Sequence, residues 1–172
     1  MHASFNDDTF DYEVAVVQVI DHRWHCVPCS VCALVVSGFR VSGSLLGTNA
    51  RAVTLANDNY DAPGGLAVTV TGWGATYTDG PSASSLLKVD ITIVDRNICK
   101  NTFANINTVT DRMVCAGQAG RNVYTGDSGE PLVNGGTQVG IVFWGSSECE
   151  AIPGVYASVG NLRSWIRSAS GF

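Results

Sequence analysis

The chain has 172 residues, 45% of them hydrophobic and 15% charged, and a net charge of −5 at pH 7. That length fits one domain with ample material for a core, and so apolar a chain is not a disordered one. The acidic balance argues against nucleic acid or an anionic membrane as a partner, and no apolar run reaches the length of a membrane span. Nineteen glycines among many short Val/Thr/Ile runs predict all-β structure with tight turns.

The opening residues are acidic and polar and carry no signal-peptide pattern. His22, His25, Cys26, Cys29 and Cys32 then place five soft or borderline ligands in eleven positions, enough in number to hold zinc. The second ligand pair that such sites usually take from across a longer loop is not evident, so no metal is expected. Ala50 to Val94 reads as strands. Leu66 to Val70 alternates Val and Thr, and Thr76 to Ser85 is a polar loop with a Gly80-Pro81 turn signal. From Leu86 to Val94, Val89, Ile91 and Ile93 share one face, with Lys88, Asp90 and Thr92 on the other, the alternation of a half-buried strand. Asp95-Arg96-Asn97-Ile98-Cys99 predicts a short helix capped by Asp95. Near the end, Val159, Leu162 and Ile166 lie at helical spacing with Trp165, and Arg163 and Arg167 face outward, predicting a terminal amphipathic helix.

The stretch that carries chemistry is Thr125-Gly126-Asp127-Ser128-Gly129-Glu130-Pro131. A serine hydroxyl is a poor nucleophile in water. It becomes useful when a tight turn exposes it, when backbone N–H groups hold a developing oxyanion, and when a base takes its proton. Gly126 and Gly129 permit such a turn. Alone, the heptapeptide reads equally well as a polar loop between strands.

Four further blocks surround it in order: Phe5-Asn6-Asp7-Asp8-Thr9-Phe10-Asp11-Tyr12-Glu13-Val14-Ala15-Val16-Val17; Val70-Thr71-Gly72-Trp73-Gly74; Met113-Val114-Cys115-Ala116-Gly117; and Gly140-Ile141-Val142-Phe143-Trp144-Gly145, followed by Pro153-Gly154-Val155-Tyr156 and Trp165-Ile166. With these blocks the chain resembles the trypsin/chymotrypsin-like serine peptidases, in the general pattern of their insect digestive members. The resemblance covers residues 1–19 and roughly 46–172. It implies one partial domain over 1–172: a complete second chymotrypsin-like antiparallel β-barrel, the tail of the first, and a C-terminal helix. Residues 20–45 stand inside it as an anomalous insertion. They read either as a metal-binding module or as translated non-coding sequence, since matched sequence resumes cleanly on both sides.

The resemblance also assigns roles. Ser128 is the implied nucleophile, and the N–H groups of Gly126 and Ser128 the oxyanion hole. Glu13 stands where the family carries the acid that orients a histidine; Asp11, two residues earlier on the same strand face, is an alternative, and a solvated strand-end carboxylate is the plain reading of Glu13. The family's A-A-H-C block, which supplies the base, does not occur here, and His2 matches a position that is not catalytic. Asn122 falls at the base of the specificity pocket, where an amide does not pair with Lys or Arg as a carboxylate does. Trp144 and Gly145 match residues that line the pocket and pair with substrate backbone, although Phe143 and Trp144 read equally as a core aromatic pair. Glu130 replaces a glycine. Asp127 matches the carboxylate that pairs with an activating N-terminal amine; without the amine it is expected to be buried and unpaired, and the loop to relax. Cys99 and Cys115 match a family disulfide. Cys149 lacks its mate, whose place Tyr124 takes, and Cys26, Cys29 and Cys32 have no counterpart.

The implied activity is serine endopeptidase cleavage through an acyl-enzyme, with a peptide or protein substrate or inhibitor as partner and no cofactor. The implied state is an extracellular monomer. The missing histidine block and activating N-terminus imply that the chain as it stands does not turn over substrate. A non-catalytic peptide- or inhibitor-binding relative is the first alternative, and a metal-binding insertion the second.

Overall fold

The computed structural model describes residues 46–118, 120–145 and 153–170, together with 4, 6, 8, 9, 11, 19, 20, 23 and 24. Among these, the elements in chain order are β1 (Val19–Ile20), β2 (Arg23–Trp24), β3 (Thr54–Leu55), β4 (Ala67–Gly72), β5 (Leu87–Val94), α1 (Arg96–Phe103), β6 (Met113–Ala116), β7 (Pro131–Asn134), β8 (Thr137–Trp144), β9 (Gly154–Ser158) and α2 (Val159–Ser170). No helix among the described residues is long and apolar enough to cross a membrane.

Six strands close into an antiparallel barrel in the order β8-β7-β4-β5-β6-β9, with β9 returning to β8. Strand β3 adds to β8 in parallel. Alternation decides which side chains enter. Val68 and Val70 of β4 oppose Ile91 and Val89 of β5; Val68, Val70 and Ile91 are buried and Val89 is half-buried. Between them Thr69 faces Asp90 and donates its hydroxyl to that carboxylate at 2.6 Å on the outer surface. Burying each such aliphatic side chain is worth about 1.5–3 kcal/mol. The interior continues through Ile93, Val114, Leu132, Val139, Val142 and Tyr156. This closed barrel with its terminal helix is the chymotrypsin-like architecture that the motifs imply. The β5 alternation and the α2 face appear where the sequence predicts them.

The run from Ala50 to Val94 is less stranded than its composition suggests. Between Arg51 and Leu66 the strand pairing is confined to Thr54–Leu55. Asn57 to Gly65 turns instead: Tyr60 N–H donates to the Asn57 carbonyl, Leu66 N–H to the Pro63 carbonyl, and Asn59 and Gly65 adopt positive φ. The density of Asn, Asp, Pro and Gly there favours turns over a ladder.

A second cluster lies under α1. Asp95 caps that helix, accepting from Asn97 N–H at 2.9 Å and Ile98 N–H at 3.2 Å. Cys99 and Phe103, one turn apart, point inward onto Val109, Met113, Cys115 and Val155. Cys99 and Cys115 form the expected disulfide, closing sixteen residues.

The N-terminal residues meet this same region. Asn6 accepts the N–H groups of Asp8 and Thr9, each at 2.9 Å, and bridges to Asp11. Asp11 is buried, and its carboxylate takes the Thr110 hydroxyl at 2.9 Å, Arg112 Nε–H at 2.8 Å and a second Arg112 N–H. The alternative in which Asp11 supplies a triad acid is thereby corrected: a two-point guanidinium contact commits this carboxylate to fastening the segment onto the β6 side of the barrel.

Candidate active site

Between Tyr124 and Pro131 the backbone turns sharply. Asp127 N–H donates to the Tyr124 carbonyl, Glu130 N–H to the Asp127 carbonyl, and Gly129 N–H to Val142 of β8; Val142 N–H returns to the Glu130 carbonyl. Gly126 and Gly129 have φ of 99° and 90°, a region that side-chain-bearing residues rarely adopt. Ser128 stands exposed between them. The hydrogen bonds that hold the turn use the N–H groups of Asp127, Gly129 and Glu130; those of Gly126 and Ser128 are not among them.

Asp127 is the anchor. Its Oδ1 accepts Gly74 N–H at 2.8 Å and its Oδ2 accepts Tyr124 N–H at 3.0 Å. A Cβ on Gly72 would lie 2.2 Å from Oδ1, and one on Gly74 2.4 Å from Cγ. The carboxylate therefore fills a cradle that exists because both positions are glycine. This corrects the expectation of an unpaired carboxylate: two backbone donors satisfy Asp127, and the turn is tied to the end of β4. By its sequence, Thr71-Gly72-Trp73-Gly74 reads only as a strand end. The readable signal is two glycines two residues apart, which along an extended chain face the same side.

Glu130 is half-buried beside this cradle, its Cγ 3.3 Å from a Cβ placed on Gly72. Burial raises its carboxyl above the ordinary value, and the charge of Asp127 adds to the rise. Beneath the turn Tyr156 is fully buried, and its hydroxyl has no partner among the described residues. Burial first and Asp127 second push that phenol upward.

Asn122 turns its amide oxygen to the backbone, accepting Val123 N–H at 2.8 Å and Gly154 N–H at 3.0 Å. It thereby pins the start of β9 to the segment before the turn. Trp144 packs its ring edge-on against Phe103 with centroids 4.9 Å apart, and lies 6.5 Å from Phe143. Its ring thus contacts two aromatics, while Gly145 beside it is exposed and faces Gly154, whose Cα lies 3.8 Å from a Cβ placed on Gly145. A cleft of about 190 Å³ opens behind the turn, walled by Asp127, Asn122, Arg121, Lys88, Leu87 and Gly74 among others. Ser128 does not line it, so it is not where a carbonyl would meet the hydroxyl.

Glu13, the three histidines, Cys26, Cys29, Cys32 and Cys149 lie outside the described residues. Among the described residues no group of three or more His, Cys, Asp or Glu could hold a metal ion.

A profile of the family described as Trypsin matches residues 1–166. The chain belongs to the trypsin family of serine peptidases. Among its relatives, trypsin alpha-3 of Lucilia cuprina is 42% identical over 134 residues, covering 76% of this chain and 80% of that protein. Trypsin delta of Drosophila erecta is 39% identical over 131 residues, covering 74% of this chain and 51% of that one. Solved structures that share the fold include the following two. Neuropsin, a serine protease expressed in the limbic system of mouse brain, superposes with a TM-score of 0.66 at 34% identity, over 72% of this chain and 55% of its own. The scabies mite inactivated protease paralogue S-D1 gives 0.64 at 29% identity, over 69% and 53%. The chain thus spans about half the length of most of these trypsin-family relatives.

Proposed function

We propose that this chain carries the nucleophile barrel of a serine endopeptidase. Ser128 Oγ attacks the carbonyl carbon of a peptide bond and its proton passes to a histidine base. The N–H groups of Gly126 and Ser128 hold the oxyanion; the C–N bond breaks as the histidine passes the proton to the leaving amine, and water then hydrolyses the ester on Ser128. The observation that carries this reading is the exposed serine between two left-handed glycines, in a turn pinned to β4 and β8. Glu13 is the acid that orients the base. Asn122, Trp144 and Gly145 face the substrate. With the Asn122 oxygen bound by two backbone N–H groups and no carboxylate at that position, the pocket does not select Lys or Arg. The partner is a peptide or protein chain met outside the cell.

The 172 residues include no A-A-H-C segment, so taken by themselves they lack the family's base. Loss of a triad base costs on the order of 10⁶ in turnover, or about 8 kcal/mol of barrier. Incubating the folded chain with a fluorophosphonate, beside Ser128→Ala, and reading intact mass tests this. The expected result is no labelling of these 172 residues alone. Labelling confined to Ser128 would mean that another group serves as base and that the chain is an active enzyme.

Binding without turnover is the second reading. Glu130, which puts a charged side chain where the family has glycine, favours it, and the similar scabies mite protein is itself described as an inactivated protease paralogue. A measured affinity for a peptide-like inhibitor that Trp144→Ala abolishes would support it.

A further inference from the structure

Glu130 is not used by the reading above, yet it sits against the group that shapes the turn. Its side chain and the Asp127 carboxylate crowd the same face of Gly72. Its N–H donates to the Asp127 carbonyl at 3.0 Å, so the two residues share one tight turn. The Asp127 carboxylate is bound by two backbone donors, Gly74 and Tyr124.

We propose that Glu130 is a positioning residue that makes the nucleophile turn sensitive to pH. Its neutral carboxyl leaves Asp127 seated in the Gly72–Gly74 cradle, and its ionised form presses a second negative charge on Asp127 and loosens that seat.

Among the described residues no cation acts on Glu130, although Lys88 and Arg121 wall the same cleft as Asp127. Strands β4, β7 and β8 contain no titratable residue. Lys88 of β5 turns to Asp90, and Arg121 of the segment before the turn also acts on Asp90. Tyr156 of β9 is buried and stays neutral. Asp127 is the charge that acts on Glu130, and with burial it raises the Glu130 carboxyl above its ordinary 4.5. The sign follows: a carboxyl raised in the folded state favours folding while it is neutral. The benefit fades as pH climbs from that ordinary value through the raised one. Like charges close together in a partly dry site interact more strongly than in water. The turn is therefore tightest while Glu130 is protonated and looser once it has ionised.

The consequence for catalysis rests on Ser128 being the nucleophile, but the switch itself can be measured without any reaction. Amide hydrogen exchange of Gly74 and Tyr124, the two donors to Asp127, is followed from about pH 4 to pH 8 in the whole chain, as protection relative to Glu130→Gln and Glu130→Gly at each pH. The wild-type protection at both amides is expected to fall several-fold across the range as Glu130 ionises. Both variants should lack that fall, while the β6 amides behave alike in all three proteins. A carbon-detected titration of the Glu130 side chain reports the ionisation directly. Equal pH dependence in wild type and Glu130→Gln, or a Glu130 that titrates at its ordinary value, overturns the proposal. Fluorophosphonate labelling is read separately, so a failure of the nucleophile assignment leaves this outcome standing.

Discussion

Under α1, Cys99, Phe103, Met113, Cys115 and Val155 are each at most 2% exposed, and a disulfide joins two of them. In the turn that carries Ser128, residues Thr125, Gly126, Ser128 and Gly129 are not buried, and the geometry hangs on a few backbone hydrogen bonds, one carboxylate and two missing side chains. The corner is held by many small, non-directional contacts, so its position is overdetermined. The turn is held by few directional ones, so a single atom can move it. A reactive hydroxyl has to meet solvent and substrate, and that requirement excludes the first kind of support. The difference predicts that mutations in the corner lower global stability, whereas mutations at the turn act locally.

The largest effect is expected from Phe103→Ala. The ring is fully buried and supports Trp144 edge-on. Its loss should lower stability by about 3–5 kcal/mol, seen as a reduced urea midpoint with a shift in tryptophan emission. Replacing Cys99 and Cys115 together by Ser should lower it by about 3 kcal/mol through the closed loop of sixteen residues. Both losses should appear uniformly in exchange protection across the barrel. If either left the β4–β5 amides unchanged, the corner would not be part of one cooperative unit.

At the turn, Gly74→Ala puts a methyl 2.4 Å from the Asp127 carboxylate carbon. The carboxylate has to leave, and with it two charge-assisted hydrogen bonds. About 2 kcal/mol is expected, and the Tyr124 amide should lose more protection than the β6 amides do. A uniform loss instead would mean that turn and core are fixed by the same contacts.

What is readable in the sequence follows the same division. Strand β5 and the cap on α1 are local: alternation along one strand and one aspartate before a short apolar pattern suffice. The Cys99–Cys115 pairing is available by resemblance alone, since the spacing of six cysteines allows many pairings. Strand β3, two residues paired in parallel with β8, depends on a partner far along the chain, Thr54 meeting Thr137, and nothing local in Thr54–Leu55 announces it. The exposed serine turn is legible from its glycines. The cradle is not, because Gly74 meets Asp127 across 53 residues, and a glycine shows where a side chain is excluded without showing what excludes it. Asp11 misleads for the same reason: its spacing from Glu13 is visible, but its partner Arg112 is not.

The smallest effect, and the finest test of the division, lies at the edge of the corner. Asp95 satisfies two of the N–H groups that the start of α1 leaves without helical partners. Asp95→Ala should lower stability by about 1 kcal/mol, with Asp95→Asn retaining most of the capping. An eight-residue helix is too short to persist without packing or a cap. Here Cys99, in its first turn, is also fastened covalently to β6. The disulfide therefore masks part of what the cap does. In the Cys99→Ser/Cys115→Ser background, removal of Asp95 should lower stability by more than it does alone, a coupling readable in a double-mutant cycle. Simple additivity would mean that the buried face formed by Cys99 and Phe103 holds α1 without help from either device.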